Sequence, residues 1–148
     1  LEAALQGLPA IALSQYLGPR TADLDDPFEA AAKFGADTIR AILRATPPRD
    51  GDYRLFHSVN FPPVAAADVK GMQATVQGYR RDANFSVEPH FAPSGRKFLW
   101  VRGSNQHNPT EPGSDVAACL DGYISITPMR ADLTAHEDVA PLQRALPE

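Results

Sequence analysis

Two apolar segments separated by an amphipathic helix constrain the fold of this chain most strongly. The first segment, PAIALS at residues 9–14, is typical of a parallel strand that is covered on both faces. The second, RLFHSVNF at residues 54–61, ends at Pro62-Pro63. A strand, a helix and a second strand in this order predict a βαβ unit with a right-handed crossover.

The intervening helix has recognisable start and stop signals. Asp26 is the predicted N-cap, Pro27 suits the first helical position, and Glu29 stands where a capping box places its carboxylate. Pro47-Pro48 ends the helix. The residues predicted to face the sheet are Phe28, Ala31, Ala32, Gly35, Ile39, Ile42 and Leu43.

The middle of the chain reads as further strands. Residues 69–79 predict a strand in which Met72, Ala74 and Val76 alternate. Residues 84–102 predict a long hairpin that turns at Pro93-Ser94-Gly95.

The segment GSDVAACLDGYISITPMRADLTAH, residues 113–136, is dense in boundary signals. Ser114 or Asp115 is expected to cap a short helix that runs to Leu120, with Gly122 just beyond its end. Residues 123–127 predict a strand.

The last residues predict a terminal helix with two possible starting points. Pro128 is expected to end the preceding strand, and Thr134 and Glu137 have the spacing of a capping box. Pro141 would kink this helix or move its start to Asp138.

At the other end of the chain, LEAAL reads as the tail of a helix, which predicts that an upstream part is missing.

Composition excludes several classes of protein. A net charge of −4 argues against a general polyanion binder, and Arg80-Arg81 is explained more simply as a solvated hairpin edge. The single cysteine, Cys119, cannot form an intrachain disulfide, and its small apolar neighbours predict a buried, inert thiol. No apolar run reaches membrane-spanning length, so we expect a soluble cytoplasmic protein.

The candidate metal and phosphate sites all have simpler readings. Asp25-Asp26 is the only adjacent aspartate pair, and a helix cap is favoured over a metal site. The four histidines, at positions 57, 90, 107 and 136, lack zinc-ligand spacing, and His57 is predicted to be a core or interface residue. Gly113-Ser114-Asp115 is a weak anion-binding candidate for which an N-cap is the preferred interpretation.

Asp132 and His136, four residues apart, predict a local hydrogen-bonded or ionic link at the hinge of the terminal arm.

Four ordered segments resemble the SurE survival-protein family of metal-dependent 5′-nucleotidases. They are GLPAIALS, SVNFP, VKGMQATVQGYR and PGSDVAACLDGYISITPMRADLTAH. The resemblance extends over essentially the whole chain and implies the C-terminal half of such a protein. The fold it implies is α/β: the C-terminal part of a Rossmann-like three-layer sheet with an extended β-hairpin and a C-terminal helical arm.

The resemblance also implies a division of the chain. Residues 1–78 would end the α/β sheet, 79–103 would form a protruding hairpin, 113–130 a helix and strand, and 131–148 the arm. Tyr79, Phe85, Phe91 and Trp100 would be interface aromatics in a homodimer or homotetramer that forms through the hairpin and the arm.

The implied activity is hydrolysis of nucleoside 5′-monophosphates with a divalent metal, Mg²⁺ or Mn²⁺. The family's metal ligands and phosphate loop would lie upstream, so no catalytic or metal-binding residue is assigned here and the chain alone is expected to be inactive. Asn60, Ser114 and Asp115 are the predicted substrate-proximal residues. The partners would exclude nucleic-acid polymers and membranes.

Two other functional readings stay open at this point. The chain could be a non-catalytic oligomerisation module that uses only its hairpin and arm. A weaker alternative is an acidic protein-binding domain unrelated to phosphate.

Overall fold

The computed structural model describes residues 1–46, 55–80, 85–103, 108 and 110–147. Its helices are α1 (Glu2–Leu5), α2 (Glu29–Ala45), α3 (Asp115–Leu120) and α4 (His136–Ala145). Its strands are β1 (Ala10–Gln15), β2 (Phe56–Phe61), β3 (Met72–Ala74), β4 (Ser86–Phe91), β5 (Lys97–Arg102) and β6 (Ile124–Met129). Short 3₁₀ turns lie at Pro19–Thr21 and Ala66–Asp68.

The strands form a four-stranded sheet and a separate hairpin. The sheet has the order β1-β2-β6-β3, and the hairpin pairs β4 with β5. β1 and β2 are parallel and are joined through α2, which confirms the predicted βαβ unit. β6 runs antiparallel to β2 and parallel to β3, so the sheet is mixed. The structure is therefore α/β with an antiparallel hairpin, as predicted.

The core lies between α2 and the sheet. Its fully buried apolar residues are Ala30, Ile42, Val59, Phe61 and Ile124. The predicted inward face of α2 was wrong in part, because Phe28 and Leu43 are more than half exposed and Ala30 and Thr38 are buried instead. Thr38 tolerates burial since its hydroxyl donates to the Phe34 carbonyl at 2.9 Å, within the same helix.

The predicted capping box of α2 is also wrong. The helix begins at Glu29, and no side chain caps it. Asp26 Oδ1 accepts a hydrogen bond from the Phe28 N–H at 2.8 Å, which forms a turn before the helix. Glu29 Oε2 accepts from the Ala66 N–H at 2.9 Å. The Glu29 carboxylate thus satisfies the backbone N–H of a residue distant in the chain, which needs an acceptor.

Two predictions, for the first strand and for the strand before Pro128, need correction. β1 lies at the edge of the sheet formed by the described residues, and Ala12, Leu13 and Ser14 are exposed, so the described residues do not cover both of its faces. Pro128 does not end β6 but lies within it, opposite His57. β3 reaches only Ile126 of β6, so the far edge of β6 at Pro128 has no partner strand in the described part of the chain. A proline without an N–H is tolerated at such an edge.

The third strand is shorter than predicted. β3 covers only Met72–Ala74, and all three residues are exposed. The buried residue is Thr75, whose hydroxyl lies 2.8 Å from that of Thr127. Val76 makes only an isolated bridge to Ser114. The predicted alternation fails because the chain leaves the sheet after Ala74 to run beside α3.

The local signals around α1, α3 and the hairpin turn are confirmed. The helix read in LEAAL ends before Gly7, which has φ 73°, and Gly95 has φ 79° in the hairpin turn. Ser114 caps α3 by accepting from the Ala117 N–H at 3.2 Å, and Gly122 follows the helix with φ 91°. Each glycine adopts a left-handed conformation that other residues rarely take.

α4 differs from its prediction. It begins at His136, without a side-chain cap, and Pro141 lies inside it. Thr134 makes no capping box, since its N–H donates to Asp132 Oδ1 at 2.9 Å. None of the helix's residues is buried. No helix within the described residues is both long and apolar enough to span a membrane.

Candidate functional site

A pocket of about 690 Å³ opens where the carboxyl ends of β1 and β2 meet the start of α3. Ligands of α/β proteins commonly bind at this end of parallel strands. The pocket is lined by Ser14, Gln15, Tyr16, Leu17, Asn60, Gln77, Gly78, Arg80, Phe85, Asp115, Val116 and Cys119. Its volume lies in the range usual for small-molecule sites.

Gln15 ties the two strand ends together. Its Nε2 donates to the Pro62 carbonyl at 2.9 Å and approaches the Phe61 carbonyl at 3.4 Å. The Tyr16 N–H donates to the Phe61 carbonyl at 3.0 Å. These bonds hold the rear of the pocket because the backbone of β1 cannot separate from that of β2 without breaking them.

Asn60 lies in the pocket wall at the end of β2, where its predicted role requires it. Its Nδ2 approaches Ser125 Oγ at 3.4 Å, a long and weak contact. Its carbonyl accepts from the Cys119 thiol at 3.3 Å. The amide of Asn60 therefore has hydrogen-bonding capacity to spare.

Asp115 also lines the pocket, and the backbone holds it in place. Its Oδ1 accepts from the Gly78 N–H at 2.9 Å and from the Val116 N–H at 2.8 Å. A Cβ at position 78 would lie 2.9 Å from Asp115 Oδ1 and 3.0 Å from Ser114 Cβ. Glycine at position 78 allows this close approach of the backbone to the carboxylate.

Ser114, the third predicted substrate-proximal residue, does not line the pocket. It is buried, and its hydroxyl caps α3 and lies 2.6 Å from Thr110 Oγ1. The structure thus brings Asn60 and Asp115 together at one pocket and leaves Ser114 behind its wall. Contact of any of the three with substrate stays a prediction.

Two residues that sequence reasoning did not select line the same pocket, Tyr16 and Arg80. Arg80 is partly buried instead of fully solvated as predicted, and Arg81, the other residue of that predicted hairpin edge, lies outside the described residues. Burial raises the pKa of Tyr16, while the positive charges of Arg80 and Arg20 act in the opposite direction. The motif Gly78-Tyr79-Arg80 is the sequence feature that could have indicated this position. The Gly78 N–H bonds to Asp115 at the start of α3, which places Arg80 close by in the chain.

Cys119 is the inert thiol that was predicted. It is buried, and burial raises its pKa to about 11, so it carries no thiolate at neutral pH. His57 is buried within β2, as predicted, and burial lowers its pKa. Burial therefore favours the neutral imidazole.

The Asp132–His136 link is present. His136 Nε2 lies 2.6 Å from Asp132 Oδ2 just before and within the first turn of α4. The hydrogen bond from His136, and then that from the Thr134 N–H, hold the pKa of Asp132 well below its usual range. Neither residue lines the pocket, so the link belongs to the arm.

The described residues do not fit a divalent metal site. Asp25 and Asp26 are exposed, and Asp26 already accepts from the backbone. No group of three or more His, Cys, Asp or Glu side chains within the described ranges is placed to hold a metal ion. His107 lies outside those ranges. His90 is exposed and stacks on Phe98, with 5.8 Å between ring centroids.

Comparison with known proteins shows which proteins share this sequence and fold. The family model described as survival protein SurE matches residues 1–84. A 5′-nucleotidase SurE of Cereibacter sphaeroides is 64% identical over 143 residues, which are 97% of this chain and 55% of that protein. A 5′-nucleotidase SurE of Roseobacter denitrificans is 60% identical over 142 residues, 96% of this chain and 54% of the relative.

The crystal structure of the SurE protein from Aquifex aeolicus shares the fold. It superposes with a TM-score of 0.67 at 29% identity, over 97% of this chain and 54% of that one. The chain thus spans about half the length of the relatives it matches. The family model covers more than half of the 148 residues, and the chain therefore belongs to the SurE family.

Proposed function

We propose that this chain is part of an enzyme that hydrolyses nucleoside 5′-monophosphates to a nucleoside and phosphate. The observation that carries the proposal is the 64% identity over 143 residues to a protein named 5′-nucleotidase SurE. The pocket at the strand ends supports it, because its position and volume suit a small polar ligand. A cytoplasmic location belongs to the same proposal, on sequence grounds.

In this proposal the chain's own residues bind and orient the substrate. The Asn60 amide both donates and accepts, so it suits ribose or phosphate oxygens. Asp115 is an acceptor when ionised and repels anions, so it suits a ribose hydroxyl. Gly78 keeps that carboxylate fixed, which reduces the ordering needed when substrate arrives.

A divalent metal, Mg²⁺ or Mn²⁺, enters the proposal only through residues outside this chain. The described residues offer no cluster suited to it, so no chemical step is assigned to them. When bound, such an ion would stabilise negative charge on the phosphate. The 148-residue chain alone is accordingly expected to release no phosphate from 5′-AMP.

A chimera tests this proposal. The matched segment of the Cereibacter sphaeroides relative is replaced by this chain, and phosphate release from 5′-AMP is measured with and without Mn²⁺. We expect Mn²⁺-dependent release by the chimera and none by the 148-residue chain. A folded but inactive chimera would contradict the nucleotidase proposal, and turnover by the chain alone would contradict its predicted inactivity.

A second candidate, a non-catalytic oligomerisation module, is favoured by the exposure of the hairpin and α4. All six residues of β5 are exposed, including Phe98, Leu99 and Trp100, and α4 buries no residue. We propose that these surfaces join copies of the chain into a homodimer or homotetramer. With a net charge of −4, we do not expect a nucleic-acid polymer or a membrane as partner.

Light scattering after gel filtration tests the assembly proposal. The chain is run at several concentrations beside a Trp100→Ser/Leu99→Ser variant. We expect a dimer or tetramer that the variant weakens. A chain that stays monomeric at every concentration would exclude assembly through the isolated chain.

A further inference from the structure

Arg80 is the positively charged residue among the described side chains that line the pocket. It lines the pocket and is partly buried, and its Nε is fully buried without a hydrogen-bond partner in the described part of the chain. It forms no ion pair with any described carboxylate. A buried guanidinium N–H without an acceptor is costly, and because Arg80 is only partly buried, its side chain can turn its donors toward a ligand in the pocket that supplies acceptors.

Asp115, the carboxylate in the same pocket, does not fill that role. Its Oδ1 is committed to the backbone N–H groups of Gly78 and Val116. Cys119 is a neutral thiol, since its pKa is about 11. Among the described lining residues, Arg80 therefore supplies the positive charge and Asp115 the negative charge.

Arg20 adds positive potential to the same region. Its Nη1 donates to the Leu120 carbonyl at 2.9 Å, which fixes the loop after β1 against the end of α3. The positive charges of Arg80 and Arg20 both lower the pKa of Tyr16, which lines the pocket, against the larger raising effect of burial. An anion that enters the pocket thus meets one arginine directly and a second one in its field.

We propose that Arg80 binds the phosphate group of a nucleoside monophosphate in this pocket. The planar guanidinium presents paired N–H donors that match phosphate oxygens, a geometry that a lysine does not reproduce. The pocket lies at the carboxyl ends of two parallel strands, where the fold leaves room for a ligand. The inference rests on the proposed function for the identity of the ligand but not for the binding of phosphate.

The test is phosphate binding by the 148-residue chain without metal. Line broadening in ³¹P NMR is followed for inorganic phosphate and for 5′-AMP, and adenosine binding is measured separately by proton NMR. The variants are Arg80→Gln, Arg80→Lys and the control Arg40→Gln. Arg40 is exposed on α2 and pairs with Asp37 at 2.8 Å, so the control removes the same charge away from the pocket.

We expect Arg80→Gln to weaken the binding of both phosphate and 5′-AMP by at least about tenfold and to leave adenosine binding unchanged. Arg80→Lys should fall between the wild type and Arg80→Gln, and Arg40→Gln should stay within about twofold of the wild type. Circular dichroism checks that each variant is folded. If Arg80→Gln unfolds, a folded Arg80→Lys variant with reduced phosphate binding still supports the assignment.

Three results would overturn the inference. These are a wild-type chain that binds neither phosphate nor 5′-AMP, an Arg80→Gln variant that binds as the wild type does, and an equal loss in Arg40→Gln. Hydrolysis is not part of this measurement. An inactive chimera would therefore count against the nucleotidase proposal alone, and phosphate binding that is unchanged in Arg80→Gln would count against Arg80 alone.

Discussion

β2 and β5 are both apolar six-residue strands, yet the protein uses them in opposite ways. β2 alternates between buried and partly buried residues and lies between β1 and β6 in the sheet. β5 contains Phe98, Leu99, Trp100 and Val101, and all of its residues are exposed. An isolated two-stranded hairpin is marginally stable in water. The comparison teaches that apolar content identifies a strand but not the location of the core.

The contrast between the sheet and the hairpin is tested most strongly by removing a phenylalanine ring from each of them. Phe61 is fully buried in β2, whereas Phe91 in β4 is 68% exposed. We expect Phe61→Ala to lower the free energy of unfolding by about 3–5 kcal/mol and Phe91→Ala by less than about 0.5 kcal/mol. Urea denaturation measures both. Similar losses for the two variants would mean that the hairpin contributes to the core after all.

A smaller effect is expected at the paired hydroxyls of Thr75 and Thr127, which are buried in the sheet region. Thr75→Val leaves the Thr127 hydroxyl without this partner, which should cost about 1–3 kcal/mol. The double Val variant should recover most of that loss, because neither hydroxyl then remains. A double-mutant cycle from urea denaturation gives the coupling, and additive single effects would show that the hydrogen bond is unimportant.

A substitution at Gly78 tests the close approach of its backbone to Asp115 at the pocket. The Cβ in Gly78→Ala would lie 2.9 Å from Asp115 Oδ1, so we expect a loss of about 1–2 kcal/mol and weaker 5′-AMP binding. Gly35→Ala is the matched control, since a Cβ there meets nothing within 4 Å. It should stabilise α2 by about 0.5–1 kcal/mol. Thermal unfolding and ³¹P NMR provide the two readouts, and a neutral Gly78→Ala would contradict the close approach.

The smallest effect is expected at the hinge of the arm. The pKa of Asp132 is depressed, so its contribution to hinge stability is present above the ordinary aspartate pKa near 3.9 and is lost as pH falls through the lower folded value. The Thr134 N–H, which donates to Asp132, is the reporter. Its NMR shift should titrate well below pH 3.9.

His136→Ala serves as the comparison variant at this hinge. His136 is the main cause of the depressed pKa, so its removal should move the Thr134 titration upward toward the ordinary aspartate value. An unchanged midpoint would show that the 2.6 Å contact does not persist in solution.

Several features follow from residues that are close together in the sequence. The cap at Ser114, the hairpin turn at Gly95 and the end of α3 before Gly122 depend only on neighbours within a few residues. The type of each element in the βαβ unit also follows from its own local pattern, whereas the parallel pairing of β1 with β2 joins distant residues. The predicted link between Asp132 and His136 spans one helical turn. Local geometry is sufficient for each of these predictions.

Other features were decided only by the tertiary structure, because they depend on partners that are distant in the chain. The Glu29 carboxylate does not cap its own helix but accepts a hydrogen bond from the Ala66 N–H. Pro128 remains within β6 because β3 ends before it and leaves that edge unpaired in the described part of the chain. Arg80 reached the pocket since the start of α3 holds Gly78 in place. The sequence by itself determined which segments form most of the elements and that Ser114 caps α3. Burial, strand edges and the pocket required long-range packing, since a side chain's environment is set by whichever segment the fold brings against it.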